Sequence, residues 1–388
     1  MKSATIQCAS LFLISGSLIA MTPIALAQCK PMSANYEIVD LGDFEQSDDG
    51  LRAVAIDNKG RKIIRFAAQG INGDSREVMV SARGKVSQLK QADDGAVRET
   101  LKFLDNGNRI VAYSRYDPSF RPVEMQTLID RRGGEIAVKD YCQSPSEGWQ
   151  QVDFKISRSG KKAAATFMKD GRFALAACNE DMTSERRFER DHEILLTGIT
   201  DAGIIGGKID LPGKMSFWRL TNELDEIEAP DGYSNIEASG MDEAGNIIAT
   251  TTGEITSAPL RYTSDGIEPL SVLPGKGWDV LWQVQAPCGE IFGQAVHTNI
   301  EEFLDLPQEE QDAMRDDMRA FLQFAEQRED AYFLWDPELK GRFMSSVVAG
   351  FRDWQDVRIS SVNERGVAVG YALNADNETR AIAIRPVT

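Results

Sequence analysis

Ser360–Leu373 reads SSVNERGVAVGYAL: an apolar strand, a tight turn ending in Gly366, and a second apolar strand. The phrase recurs six times upstream. It reads VAIDNKGRKIIRFA around Gly60, FLDNGNRIVAYS around Gly107, KISRSGKKAAATF around Gly160, GITDAGIIGGKI around Gly203, GMDEAGNIIATT around Gly245 and VQAPCGEIFGQA around Gly289. These glycines stand 42–53 residues apart, except for a last gap of 77 that contains a segment of different character, 298–330. A period in the forties built from short strands indicates a β-propeller rather than a helical solenoid.

The fifth unit parses completely. Asn235–Met241 is a first strand, and Asp242 to Gly245 is a turn whose glycine takes the positive-φ position. Asn246–Thr251, Leu260–Thr263 and Ile267–Leu270 follow as strands two to four. The first two strands of each unit are apolar almost throughout, as the doubly buried inner part of a blade requires. The outer half recurs as EVMVSARGKVSQL at Gly84, QTLIDRRGGEIAV at Gly133, MSFWRLTNELDEI and AYFLWDPELKGRF, and degenerates in the third unit to FALAACNEDMTSERRFER. The seventh unit ends after three strands, and Tyr36–Gly42 supplies the fourth. The expectation is an all-β, seven-bladed propeller of four-stranded antiparallel blades over residues 28–388. The N-terminal strand closes the ring, which removes open sheet edges. Six or eight blades are the alternatives.

Ile38-Val39-Asp40-Leu41-Gly42, followed by Ala53 to Gly60, resembles the bacterial extracellular HAF repeat, whose pattern is a D-L-G opening and then A-x-x-I-N-x-x-G-x-h-V-G. Ser361 to Gly370 is the nearest internal match. Asn363 keeps the pattern's Asn, where Asp57 and Asp242 replace it. Gly370, Gly206 and Gly293 keep the second-strand glycine, where Arg65, Ser114 and Thr250 do not. The resemblance implies a propeller-like fold and assigns no activity.

Residues 1–27 read as an export signal: Lys2, an apolar run from Ala9 to Ile24, and an Ala25-Leu26-Ala27 cleavage site. Cys29 follows in a lipoprotein-like place, but Gln28 stands where a small residue precedes a lipidated cysteine, so cleavage after Ala27 is expected. No other run reaches membrane length. The reading is of a secreted or periplasmic protein without a membrane span. The net charge of −17 becomes one unit more negative once Lys2 leaves. Such acidity repels phosphate backbones and argues against nucleic acid as a partner. Cys29, Cys142, Cys178 and Cys288 remain, an even number compatible with disulfides. Cys29 precedes the closing strand and Cys288 sits in the inner turn of blade six, both on the basic-turn face near adjacent blades, so Cys29–Cys288 is the pairing expected; strand counting puts Cys142 and Cys178 on opposite faces.

Loops that enter each first strand carry acidic and aromatic residues: Asp48 and Asp49, Asp93 and Asp94, Glu147 and Trp149, Asp231 and Tyr233, Trp278, then Asp353 and Trp354. They form a rim able to hold a basic or peptidic ligand, or they are turns with aromatics packed between blades. Repetition in every unit favours packing. Turns between first and second strands lie on the opposite face. In units one and three they are basic, with Lys59, Arg61, Lys62, Arg158, Lys161 and Lys162 as a docking patch or a solvated surface. Ile300–Asp330, inside blade six, reads as helix opened by Pro307, with Met314, Met318 and Phe321 on one face. It is a partner-binding element or a packed cover.

Histidine is scarce, His192 and His297 alone, which rules out a histidine-rich metal centre. His297 borders the insertion and is the better site candidate. There is no G-x-S-x-G nucleophile turn, no phosphate loop and no need for a cofactor. The leading function is a monomeric, non-catalytic binding or scaffold propeller for a protein or small ligand. A hydrolase with its site at the channel mouth and a structural envelope protein are the alternatives.

Overall fold

The computed structural model describes residues 33, 35–42, 51–66, 76–90, 96–117, 119, 121–182, 184–211, 214–221, 223–228, 236–252, 257–274, 278–297, 306–316 and 329–387. Six four-stranded antiparallel sheets and a five-stranded seventh follow one another around a ring. The fifth blade comprises Ile236–Met241, Ile247–Thr252, Ser257–Thr263 and Gly266–Pro269, within a few residues of the expected bounds. Even the degenerate third unit completes its blade, with Arg172–Asn179 and Ser184–Arg190.

Blade seven is Gln355–Val362, Ala368–Leu373 and Thr379–Pro386, closed by Tyr36–Asp40 from the other end of the chain. The closing register runs antiparallel from Tyr36 opposite Pro386 to Asp40 opposite Ile382. Tyr36 is buried between blades six and seven, where its ring meets Phe292 edge-on at 6.4 Å. A two-residue strand, Val348–Ala349, pairs parallel to the outside of Tyr36–Glu37.

Seven apolar cores sit between blades rather than inside them. Leu104 and Ile129 of blade two pack on Phe167 of blade three, and Ile248 of blade five packs on Phe333 of blade six. Between blades one and two the seam is also polar. The nearly buried Glu77 accepts Thr100 N at 2.9 Å and Arg65 Nε at 3.0 Å. Arg109 there pairs with Asp130.

All seven strand-one turns share one geometry. The glycine sits at φ between 70° and 93°, and its N–H donates to the carbonyl three residues back, as Gly366 does to Asn363 at 3.0 Å. This is a type I turn ending in a left-handed residue. The family-pattern Asn has a local task. Asn363 Oδ1 accepts from Arg365 N and Val367 N, both at 3.0 Å, and Asp242 Oδ1 accepts from Ala244 N and Asn246 N in the same way. A carboxylate therefore replaces the amide without loss of the turn.

The second-strand glycine has a steric cause. A Cβ at Gly370 would lie 1.8 Å from Arg358 O, and one at Gly293 would lie 2.6 Å from Trp282 O. The equivalent residue in blade four is Gly207, whose Cβ would meet Leu195 O at 2.0 Å, and not Gly206.

Cys142 and Cys178 form a disulfide, which corrects the expectation that they lie on opposite faces. Strand Gly134–Ala137 is only four residues long and gives way to a helical turn, Val138–Tyr141. The chain thus leaves blade two early. Tyr141 Oη donates to Gly160 O, which keeps Cys142 near the turn face where Cys178 ends its strand. Cys288 is also disulfide-bonded, and its expected partner Cys29 lies outside the described residues.

The blade-six insertion departs from the end of Ile291–His297 and returns into Glu329–Trp335. Its connection therefore lies on the face where inner strands begin. Pro307 precedes helix Gln308–Asp316 and accepts Gln311 N at 3.1 Å. Glu329 and Asp330 belong to the strand, opposite His297 and Val296, and not to the expected helix.

Candidate functional site in the channel

Every inner strand carries a β-bulge, for instance between Thr100 and Lys102, Leu196 and Gly198, and Ile359 and Ser361. A bulge bends the strand and re-aims a side chain. The bulged Leu101, Val152 and Leu281 are accordingly large apolar residues left exposed.

At the turn face the seven turns bind one another. Glu364 N donates to Asn58 Oδ1, Asn58 N to Asp105 Oδ1 and Asp105 N to Arg158 O. Ser159 N donates to Asp201 Oδ1, Asp201 N to Glu243 Oε2 and Glu243 N to Pro287 O. Between blades six and seven, Cys288 Sγ lies 3.7 Å from Glu364 O. Arg158 then crosses from blade three to the far side. Its guanidinium donates to Val362 O at 3.1 Å and Asn58 Oδ1 at 2.9 Å, with Asp105 3.6 Å away. The basic turns are thus largely spent on local and inter-blade contacts: Arg61 pairs with Asp57 of its own turn and lies over the Phe103 ring of blade two, and Lys162 donates to Ala202 O. Lys59 and Lys161 remain exposed.

Alongside this ring lies a cavity of about 330 Å³, lined by the inner-strand ends of blades two to seven. Lys102, Lys155, Arg158 and Glu243 are its charged groups. Lys102 is open to channel solvent yet surrounded by blades, and it donates to Ile156 O at 2.7 Å. Enclosure, reinforced by the Arg158 charge, pushes its amine down to about 8. Burial raises the Glu243 carboxyl to about 7, with repulsion from Asp201 and Glu364 acting in the same direction against Arg158 and the Asp201 N–H. An acid and a base displaced towards neutrality within one cavity mark a functional-site candidate. Among the described residues no group of three or more His, Cys, Asp or Glu is placed to hold a metal ion.

The expected rim fares differently. Trp278 and His297 do meet, as a cross-strand pair with rings 5.1 Å apart, and Phe343 covers the indole. Trp149 packs against the core between blades two and three, and Trp354 against that between six and seven. Glu147 is an exposed turn residue whose carbonyl accepts Lys169 Nζ, and Asp353 ends a 3₁₀ turn. The described aromatics therefore serve packing. Met314 falls in helix Gln308–Asp316. Asp48, Asp49, Asp93, Asp94, Asp231, Tyr233, Met318 and Phe321 lie outside the described residues. Sequence reasoning missed Lys102 and Glu243. The available signal was a lysine inside the apolar inner strand of unit two, and an acidic residue two places before the turn glycine.

No family model matches the chain, and no curated protein does. Solved structures do. An oligogalacturonate lyase in complex with manganese aligns at 8% identity over 92% of this chain and 99% of its own, with a TM-score of 0.50. A streptogramin B lyase aligns at 11% identity over 90% and 98%, with a TM-score of 0.44. YCF48 bound to D1 peptide aligns at 11% over 91% and 97%, with a TM-score of 0.43. These similarities concern the fold: the chain is a seven-bladed β-propeller. Among the described residues no helix is long and apolar enough to cross a membrane.

Proposed function

We propose that this propeller is an extracytoplasmic, non-catalytic binding protein that takes a small ligand into the channel. The observation that carries the reading is the 330 Å³ cavity, on which polar and apolar side chains from separate blades converge. The leader-like residues 1–27 and the Cys142–Cys178 disulfide support the compartment. The helical insertion on the other face serves the same reading as a second, protein-facing contact surface. The channel reading is tested by ligand-observed NMR with a fragment library and the mature protein, beside a Leu101→Trp variant that fills the cavity. Hits that vanish in the variant support it; hits that survive unchanged place binding elsewhere and overturn it.

The second reading is a hydrolase at the channel mouth, favoured by the displaced ionisations of Glu243 and Lys102. It requires that Glu243→Gln abolish turnover of a bound fragment while leaving its binding intact.

A further inference from the structure

In four blades the residue that the inner-strand bulge leaves unpaired also lines the cavity: Leu101, Thr197, Ser239 and Ser360. A bulge re-aims the side chain it carries, and the space these side chains enter is the channel. Three of the four carry hydroxyls. Ser239 Oγ donates to Ile248 O and accepts Gln283 Nε2, which ties blade five to blade six. Among the described residues the Thr197 and Ser360 hydroxyls make no hydrogen bond, and neither does that of Ser361, which lines the same cavity. An apolar solute would strip these hydroxyls of water and return no bond, whereas a polyol returns one for each.

The charge of the ligand follows from the cations. Lys155 pairs with Asp153 at 3.4 Å, and Arg158 is engaged by Val362, Asn58 and Asp105. The exposed Lys102 ammonium has three protons to donate and places one on Ile156 O. Among the described residues no carboxylate forms an ion pair with it. Asp201 is turned to the Ser159 amide and Glu243 to the Asp201 amide. One uncommitted cation calls for one negative charge. A cationic solute would meet Lys102, Lys155 and Arg158 together, and a phosphate would bring a second negative charge into a cavity that already holds Glu243. We propose that the channel cavity binds a small polyhydroxylated carboxylate, a sugar acid, with its carboxylate on Lys102 Nζ and its hydroxyls on Thr197, Ser360 and Ser361. The proposal rests on the channel-binding reading above and names its ligand class. The ammonium belongs to blade two and the hydroxyls to blades four and seven, so only a ligand that spans the channel uses both.

The experiment is calorimetric titration of the mature protein at pH 6 with gluconate, glucitol, hexanoate and glucitol 6-phosphate. Gluconate and glucitol differ in the carboxylate; gluconate and hexanoate differ in the hydroxyls. Variants are first matched to the parent by circular dichroism. Gluconate is expected to bind at least about tenfold more tightly than each of the other three, the scale of one hydrogen bond to a charged group. Lys102→Met should bring gluconate down to glucitol, and Lys102→Arg should keep the gap. A Thr197→Val/Ser360→Ala double variant should close most of the gap to hexanoate. Glucitol binding as tightly as gluconate, or a preference for gluconate that survives Lys102→Met, overturns the carboxylate contact. Hexanoate binding as tightly overturns the hydroxyl contacts, and glucitol 6-phosphate binding most tightly overturns the single charge. Absence of binding by all four overturns the sugar-acid assignment alone, because the fragment comparison with Leu101→Trp decides the channel reading. Gluconate binding that Leu101→Trp leaves unchanged overturns both.

Discussion

At Gly370 the inner and second strands of blade seven come so close that a single methyl group has nowhere to go. Gly370→Ala should cost about 1–3 kcal/mol of unfolding free energy, the usual range for overpacking, measured by urea denaturation. The matched position of blade five is already Ala249, opposite Ala238 beside the same bulge, so one strand of this ring does accept a methyl there. Glu243 makes a second residue-scale prediction. Its folded carboxyl titrates near 7 against an ordinary 4.5, so the native state holds the proton more tightly than the unfolded chain. That contribution favours folding in acid and is lost as pH climbs from about 4.5 to about 7. Glu243→Gln keeps an acceptor for Asp201 N and cannot ionise. The variant should gain urea resistance relative to the parent at pH 8 and not at pH 5. Equal differences at both values would show that Glu243 is not strained by its charge. Neither residue is conspicuous in the sequence. Gly370 belongs to a visible pattern, but its cause is the Arg358 carbonyl on another strand. The displacement of Glu243 comes first from burial among the assembled blades, and then from Asp201 and Glu364 in two other blades.

At the scale of the element, the strand–turn–strand phrase was readable because its physics is local. A left-handed glycine, an Asx or hydroxyl cap and flanking apolar runs all lie within about a dozen residues. Strand ends, the closing strand and the place of the insertion followed from counting. The bulges did not, because they depend on register against a partner strand. The rim stayed open between two readings for a related reason: Trp149, Trp278 and Trp354 carry the same letters whether they face a ligand or an inter-blade core. The insertion supplies the element-scale prediction. His297 pairs with Glu329 and Ile291 with Trp335, so the hairpin survives without the intervening chain. Replacing residues 300–327 by a short Gly/Ser turn should shift Tm by no more than a few degrees, since loop length enters closure entropy only logarithmically. A loss of cooperative melting would make the insertion part of the core.

For the whole molecule, the seven inter-blade cores and the ring of turn-to-turn hydrogen bonds tie every blade to two neighbours. Blade count and closure were legible because the last unit lacks one strand and the first residues offer one. The Cys142–Cys178 pairing was not, because a four-residue outer strand and the Val138–Tyr141 turn upset the count. That disulfide joins blades two and three across a sequence separation of 36. A Cys142→Ala/Cys178→Ala double variant should lose about 2–4 kcal/mol by the loop-entropy relation, read from chemical denaturation in the absence of reductant. An unchanged midpoint would mean that the unfolded chain is not constrained by the link.

The closing strand has a mechanical consequence. Tyr36 lies opposite Pro386, and Val387 N donates to Asn35 O, so both chain ends leave the sheet from the same corner. A load applied between the two ends would not shear five residue pairs at once but peel them one after another, like a zip. With the Cys288 disulfide reduced, the ring would then open at low force when tethered at one end and pulled at the other. Once that strand peels away, blade seven is left with three of its inner strands and the circle is broken.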